Sequence, residues 1–407
     1  MKRVVVTGMA GITGLGDDWA SIEAALRAGH NAVRRVDDWQ RIEGLNTCLG
    51  APVEFTLPAH YSRKAIRSMG RVSLLAVRAT EIALSEAGLL DDPVIASGQT
   101  GIAYGSSSGS VEPVRAFGKM LEDHAMTGIN ATTYIQMMPH TTAVNTALHF
   151  RLKGRVIPTS SACTSGSQAI GYAYEAIRYG KQVVMLAGGA EELSAASAAV
   201  FDLLFATSTR NDSPTLTPRP FDVERDGLVV GEGAATLVLE EYEHARARGA
   251  TILAEVVGFG TNSDGAHITQ PEADTMATAM RMALDDAGLS PAAIGYVSAH
   301  GTATDRGDIA ESRATAEVLG NDVPISSMKS YLGHTLGACG AIEAWWGIEM
   351  MRRHWFAPTL NLATPDPACA PLRYIMGGGL VLDTDCIMSN NFAFGGINTS
   401  LIFARLV

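Results

Sequence analysis

The sequence predicts an α/β fold with largely parallel strands, organised as two related halves. Three observations carry that expectation. β-branched runs alternate with amphipathic, Ala-rich segments along the whole chain, the pattern of strands covered by helices. The segment Ala83-Leu84-x-x-Ala87-Gly88-Leu89 recurs as Ala283-Leu284-x-x-Ala287-Gly288-Leu289, an offset of 200 residues. Hydrophobic residues make up 47% of the 407 positions and charged ones 18%, which supports a large buried core and excludes intrinsic disorder.

Strands are expected at Arg3–Thr7, Thr100–Tyr104, Val183–Ala187, Ala234–Leu239, Ala254–Gly258, Gly295–Ala299 and Leu401–Ala404, where β-branched and apolar residues run together. Helices are expected at Trp19–Ala28, Ser68–Ala87, Gly166–Tyr179, Thr275–Ala287, Ile309–Leu319 and Gly340–Arg352, whose apolar residues recur at helical spacing. Each copy of the repeated segment ends a helix at a glycine suited to a left-handed cap. A short polar spacer, a strand and a small-residue loop follow: GSSSGS after the first strand, AHGTAT with the second. The halves are expected to join near Ala247–Thr251, giving an N-terminal unit at 1–250 and a C-terminal unit at 251–407. The one Pro-dense loop, Ser213–Pro220, is too short to separate domains.

Composition also excludes function classes. With 31 Lys+Arg against 42 Asp+Glu the net charge is −11, so broad nucleic-acid binding is not expected and an acidic partner needs a local basic patch. No stretch approaches the roughly 18 apolar residues of a membrane helix. The opening MKRVVVTGMAG runs from two basic residues straight into a strand and a Gly-rich turn, unlike a signal peptide. Cys48, Cys163, Cys339, Cys369 and Cys386 are odd in number and widely spread, so neither a zinc site nor a disulfide framework is expected. A reducing, cytoplasmic setting fits that usage.

Four motifs carry chemistry: Ser161-Ala162-Cys163-Thr164-Ser165-Gly166, His300-Gly301-Thr302-Ala303-Thr304, Lys329-Ser330-Tyr331-Leu332-Gly333-His334-Thr335, and Asn391-Phe392-Ala393-Phe394-Gly395-Gly396. Cys163 opens an Ala/Gly-rich helix, and the positive end of a helix dipole favours a thiolate. On position alone, a nucleophile and a small buried cysteine are both open. His300 and His334 each end an expected strand and enter a Gly/Thr loop, where side chains of α/β folds face a ligand crevice. His30, His60, His124, His140 and His267 have no such context and are expected to be surface or structural. Lys329 sits among small and apolar neighbours, and inside a site it would raise anion affinity and bias histidine protonation. The aromatic–glycine turn at 391–396 reads as a backbone loop that can move or supply an N–H.

Taken together, these motifs resemble the β-ketoacyl-[acyl carrier protein] synthases of the elongating Cys-His-His type, in the thiolase-like superfamily. The resemblance spans the chain and includes the opening VVVTGMAGIT and Asp226–Ala234 (DGLVVGEGA). It implies a five-layered αβαβα fold of two pseudo-repeats. It implies a homodimer, or a heterodimer with a related synthase or chain-length factor, and an acyl carrier protein as partner. By the resemblance Cys163 takes the acyl group, and the backbone N–H groups of Cys163 and Phe394 form an oxyanion hole. His300 and His334 donate to the malonyl thioester carbonyl as it becomes an enolate. Lys329 holds the histidine pair. Thr302 and Thr304 hold the pantetheine arm, Phe392 gates the cysteine, and Glu343 is a structural carboxylate. No cofactor is implied, because the substrates ride on the phosphopantetheine arm of the carrier. A nearby monovalent cation, found in some relatives, is not expected here.

Two departures stand out. Ala393 replaces the first glycine of the family's Gly-Phe-Gly-Gly loop, and alanine tolerates positive φ poorly. Ser108 stands where a larger aliphatic side chain often narrows the acyl pocket. With the surrounding wording, both resemble synthases of bacterial aryl-polyene clusters. Carrier docking is expected at Arg63, Lys64, Arg67 and Arg71; on one helix, Arg63, Arg67 and Arg71 would share a face. Two other functions stand beside the synthase. A coenzyme A thiolase would use a second cysteine as base in place of the His-His pair and Lys loop. A noncatalytic chain-length factor would lack the cysteine.

Overall fold

The structure, a computed structural model, describes residues 1–406. Ten strands form its frame. Five precede residue 250: β1 (Val4–Thr13), β2 (Thr100–Gly105), β3 (Val156–Thr159), β4 (Val184–Glu191) and β5 (Gly233–Glu241). Five follow: β6 (Ala254–Ser263), β7 (Tyr296–Ser298), β8 (Pro324–Ser326), β9 (Cys386–Ala393) and β10 (Ile397–Ala404). The first five lie in the order β1-β5-β4-β2-β3 and the second five in the order β6-β10-β9-β7-β8, the same path walked twice. An edge pair, Arg373–Tyr374, extends the second set beyond β8. The two sets meet where Val4–Val6 of β1 pair antiparallel with Ala254–Val256 of β6.

The sheet is mixed, which corrects the expectation of largely parallel strands. In each set the last strand is antiparallel to both its neighbours, while the second, third and fourth are mutually parallel. β9 and β10 are joined through Phe394–Gly396, and so short a connection can only return the chain antiparallel.

Six helices complete the layers: α1 (Arg71–Glu86), α2 (Thr141–His149), α3 (Ser165–Arg178), α4 (Ala273–Ala287), α5 (Asp305–Leu319) and α6 (Cys339–Arg353). α1 and α2 cover one outer face with Ala76, Ala83, Ala143 and Ala147; α4 and α5 cover the other with Met276, Met280, Ala314 and Val318. α3 and α6 lie between the sheets. α6 is buried from Cys339 to Met351, as a helix in a core must be. Along β4, Met185 and Ala187 face this central layer while Val184 and Leu186 face α1. Both faces of the strands are therefore covered, which is why they read as unbroken apolar runs. The five layers are those of the thiolase-like fold.

The repeated sequence has a packing cause. Gly8 of β1 lies under Ala83 and Ala87 of the first copy, and Gly258 of β6 under Ala283 and Ala287 of the second. A Cβ on either glycine would collide with the helix carbonyl above it, so small residues on both elements set the helix–sheet distance. The capping glycines Gly88 and Gly288 share a left-handed backbone, φ 68° and 65°.

Element boundaries differ in places. The helix expected from Ser68 begins at Arg71, and Arg63–Ile66 is a separate single turn. Helices at Val111–Asp123, Thr141–His149 and Ala195–Asp202 were not expected. Thr141–His149 is rich in threonine, which has low helix propensity, and is held by burial of Ala143 and Ala147. Among the described residues, no helix is long and apolar enough to cross a membrane.

Candidate active site

The turn that presents Cys163 begins where β3 ends. Ser160–Ala162 reverse the chain, with Ala162 at φ 50°, and one 3₁₀ turn (Ala162–Thr164) delivers it into α3. A left-handed alanine is strained. Hydroxyls hold it: Ser165 Oγ donates to Ala162 O at 2.7 Å, Thr164 Oγ1 to Ser161 O at 2.7 Å, and Thr159 Oγ1 to Ser165 O at 2.8 Å. The run of small polar residues around Cys163 is thus the scaffold of the turn.

Cys163 is 5% exposed, and its Sγ lies 2.9 Å from His334 Nε2. The proton on His334 can be assigned. Leu336 N–H donates to His334 Nδ1 at 3.3 Å, so Nδ1 is the acceptor and Nε2 carries the hydrogen that points at sulfur. The backbone of His334 is pinned by Val229 and Gly231, through His334 N to Val229 O (2.6 Å) and Gly231 N to His334 O (2.9 Å). Part of the DGLVVGEGA stretch therefore fixes a histidine from across the fold. His334 does not follow a strand directly, as expected, but a single helical turn, Lys329–Leu332.

His300 does follow β7. Its own N–H and that of Gly301 donate to the two oxygens of Glu311, both at 2.7 Å. The His300 and His334 rings meet edge to face with centroids 5.2 Å apart. Behind them the Lys329 ammonium pairs with Glu343, which also accepts from Asn391 Nδ2 at 2.7 Å. Ser327 ties the two histidine loops together, donating to Gly301 O at 2.7 Å and accepting from Lys329 N.

These surroundings set the protonation states. Burial, reinforced by the Lys329 charge, pushes both histidines well below their ordinary value, so each is a neutral N–H donor. Burial alone would lower Lys329, but the Glu343 carboxylate outweighs it and the ammonium stays charged. Burial also pushes the Cys163 thiol up to about 11, against the opposing pull of Lys329 and of the Phe394 and Cys163 N–H groups. The resting cysteine is therefore a thiol. The helix-favoured thiolate expected from the sequence is overridden by desolvation.

A cavity of about 550 Å³ opens from this cluster to solvent. Cys163, His300, His334, Thr302, Thr304, Phe392 and Phe394 all line it, so the structure assembles seven expected site residues in one place. The Thr302 and Thr304 hydroxyls are 2.9 Å apart, one donating to the other. Phe392 is 7% exposed and stands edge-on to His300 at 6.2 Å. Ala393 avoids strain, because the left-handed positions of its loop fall on Gly395 and Gly396 at φ 86° and 70°.

Other expected residues lie elsewhere. Ser108 is exposed and off the cavity; its N–H is turned inward to Glu191 at 3.3 Å while its side chain faces out. Arg63, Lys64 and Arg67 are exposed, but the chain breaks its helix between Ile66 and Arg71, so the shared helical face does not form. Arg71 is also exposed, but its guanidinium is paired, donating to the buried Glu232 Oε2 at 2.9 Å and to Val53 O at 3.0 Å. His267, expected to be surface or structural, is exposed and also lines the cavity.

Several site residues carried no local signal. Phe201 packs between Phe394 (5.3 Å) and His334 (6.3 Å), and Glu311 and Arg225 line the cavity from segments that meet only in three dimensions. The Cys163 sulfur and a nitrogen of each histidine lie within 4.8 Å of one another, the one grouping among the described residues with metal-ligand chemistry. The Lys329 field that disfavours protonated histidine disfavours a bound cation for the same reason.

Comparison with known proteins converges on this arrangement. Residues 1–245 match the beta-ketoacyl synthase N-terminal domain and residues 253–363 its C-terminal domain. The chain belongs to the beta-ketoacyl synthase family. A 3-oxoacyl-[acyl-carrier-protein] synthase 2 of Vibrio cholerae is 37% identical, covering 100% of this chain and 99% of that one. The crystal structure of a beta-ketoacyl synthase from Burkholderia phymatum STM815 is 68% identical over the whole of both chains, with a TM-score of 0.99. The ishigamide ketosynthase/chain length factor is 31% identical over both full chains, with a TM-score of 0.89. A beta-ketoacyl synthase is an acyltransferase that forms carbon–carbon bonds, and the site has the parts for it.

Proposed function

We propose that this synthase condenses an acyl group held on Cys163 with a malonyl unit on a carrier protein, with loss of CO2. The observation that supports this most is one pocket holding a buried thiol, two neutral histidine N–H donors and a charged lysine behind them. In the first step Cys163 sulfur attacks the acyl thioester carbonyl, and the Cys163 proton passes to the departing pantetheine sulfur. The N–H groups of Cys163 and Phe394, both of which lower the thiol against its burial, hold the oxyanion. In the second step the malonyl carboxylate leaves as CO2, and its electron pair forms an enolate stabilised by N–H groups of His300 and His334. The enolate carbon attacks the Cys163 acyl carbonyl, the C–S bond breaks, and the thiolate regains a proton.

Lys329 and Glu343 keep the histidine pair in place, Thr302 and Thr304 bind the arm, and Phe392 gates the thiol. No further cofactor enters this scheme. The relatives' names, an acyl-carrier-protein synthase and a ketosynthase/chain length factor, support an acyl carrier protein and a paired subunit as partners. Arg63, Lys64 and Arg67 form the docking patch in this reading. Ser108 contacts the acyl chain only once a partner subunit covers its exposed loop. The units divide at 250/251, in keeping with family matches that end at 245 and resume at 253. The work is done in the cytoplasm, on fatty or aryl-polyene chains. Incubation with malonyl-carrier protein and a panel of acyl primers, read by mass spectrometry, tests the reading: products two carbons longer than the primer support it, and CO2 without elongation points to a chain-length-factor role.

A further inference from the structure

The charges around the cavity are unevenly committed. Four carboxylates line it, Asp226, Asp264, Asp305 and Glu311, against two guanidiniums, Arg225 and Arg306. Every carboxylate is engaged by the protein. Asp226 faces Arg210 at 3.5 Å and accepts from Ser208 Oγ at 3.0 Å. Asp264 accepts from Asn398 Nδ2 at 2.7 Å, and Glu311 from the two N–H groups beside His300. Asp305 is held by Arg225, which also pairs with Asp366 at 2.6 Å and reaches Asp308 at 3.7 Å. The Arg225 side chain is 3% exposed, so its charge is spent inside the wall.

Arg306 is different. It is exposed, it lines the cavity, and it belongs to none of the ion pairs among the described residues. Its neighbour Asp305 is bound to Arg225 and, one residue away on a helix, points to a different side. Arg306 follows Thr302 and Thr304 on the same segment, so one stretch of chain runs from the cavity wall to its rim. Cys163 lies at the other end, 5% exposed. A ligand whose sulfur reaches Cys163 from solvent enters through the exposed part of this lining, to which Arg306 belongs.

We propose that Arg306 is a phosphate contact, binding the anionic end of the phosphopantetheine arm at the cavity rim. The inference rests on the proposed function, which places that arm here, and adds the group that recognises its charge. A planar guanidinium offers two parallel N–H donors to phosphate oxygens, and nothing in the wall competes for them.

The test compares two thioesters that differ by one phosphate, acyl-phosphopantetheine and acyl-pantetheine, in binding by calorimetry and in turnover. The wild-type protein should prefer the phosphorylated form about tenfold, roughly the worth of one charge-assisted contact at a partly wet site. Arg306→Gln should abolish the preference by weakening the phosphorylated form alone, and Arg306→Lys should restore part of it. An equal loss for both thioesters, or a wild-type protein that binds them alike, overturns the contact. If the phosphate preference appears in binding but no primer is elongated, the contact stands and the proposed condensation falls. A defect confined to carrier-borne substrate, with the phosphate preference intact in Arg306→Gln, assigns the arginine to the carrier's surface and overturns the proposal.

Discussion

The turn that presents Cys163 has a twin in the second half of the chain. Ala162 and Leu336 occupy the same left-handed backbone, φ 50° and 47°, each opens a 3₁₀ turn, and each turn leads into a central helix, α3 or α6. At the position of Cys163 the second copy has Gly337. That glycine gives its N–H to Glu191 at 3.0 Å, and Glu191 also takes the Ser107 N–H and the Ser106 hydroxyl of the loop after β2. Cys339, at the place of Ser165, donates its thiol to Cys163 O at 3.2 Å. One copy of the device carries Cys163 and the other buttresses it. The histidines and lysine all come from the half without Cys163. A symmetric scaffold thus carries an asymmetric site, and chemistry has to be read from side chains rather than from the fold.

The largest expected effect separates the two turns outright. Cys163→Ala should abolish condensation, a loss on the order of a thousandfold or more in turnover. Malonyl decarboxylation should survive, because the histidines that hold the enolate are untouched. Parallel measurement of CO2 and of elongated product decides it; elongation by the variant would remove Cys163 as nucleophile.

Gly337→Ala probes the other turn, and its effect belongs to stability. A Cβ there would lie 2.7 Å from Ser107 N and 2.8 Å from Glu191 Oε2, both fixed by hydrogen bonds. Overpacking of this kind costs about 1–3 kcal/mol. Urea unfolding should show that loss for Gly337→Ala and little change for Cys163→Ala, which removes one buried atom. Equal midpoints for the two variants would mean the turns are interchangeable as structure.

The four catalytic candidates were legible because each is embedded in a run of small residues that a packed turn requires. The repeat was legible because Ala83 and Ala283 must lie on glycine. What stayed hidden depends on distant segments meeting. Phe201 reaches the site from a helix that carried no signal, and Glu311 acts through backbone groups whose partner no pattern announces. The state of the thiol stayed hidden because a helix dipole is visible in sequence and the burial that outweighs it is not. Ala393 raised a doubt that backbone angles removed, since the strained positions belong to Gly395 and Gly396.

A smaller effect concerns how one half sets the state of its histidines. Both are depressed first by burial and then by Lys329. The working form is neutral, so activity should persist as pH falls below 6.5 and fail only when the histidines charge. Lys329→Met removes the second cause and leaves the first, so the acid limb of the pH–rate profile should move upward, toward the ordinary histidine value. The single variant leaves Glu343 buried without its partner, at about 3–5 kcal/mol. The double variant Lys329→Met/Glu343→Gln avoids that and should show the same displaced limb. An unmoved limb in the double variant would leave burial as the whole cause.

The smallest effect lies at the surface, where equivalent segments of the two halves diverge. The stretch before α1, Arg63–Gly70, carries exposed Arg63, Lys64 and Arg67; the stretch before α4 carries Asp264 and Glu272 and lines the cavity instead. An acidic carrier would be attracted to the first and not to the second. Exposed charges act mainly on encounter and are screened by salt, so Lys64→Glu with Arg67→Glu should raise KM for carrier-borne substrate about three- to tenfold at low ionic strength. The difference should shrink as salt is added, and a small pantetheine thioester should be turned over as before. Arg71 supplies the control, because its partly exposed guanidinium is paired with the buried Glu232. Arg71→Glu should lower the unfolding midpoint and reduce turnover of every substrate alike. If Lys64→Glu with Arg67→Glu behaved the same way, the patch would be part of the scaffold and the carrier would dock elsewhere.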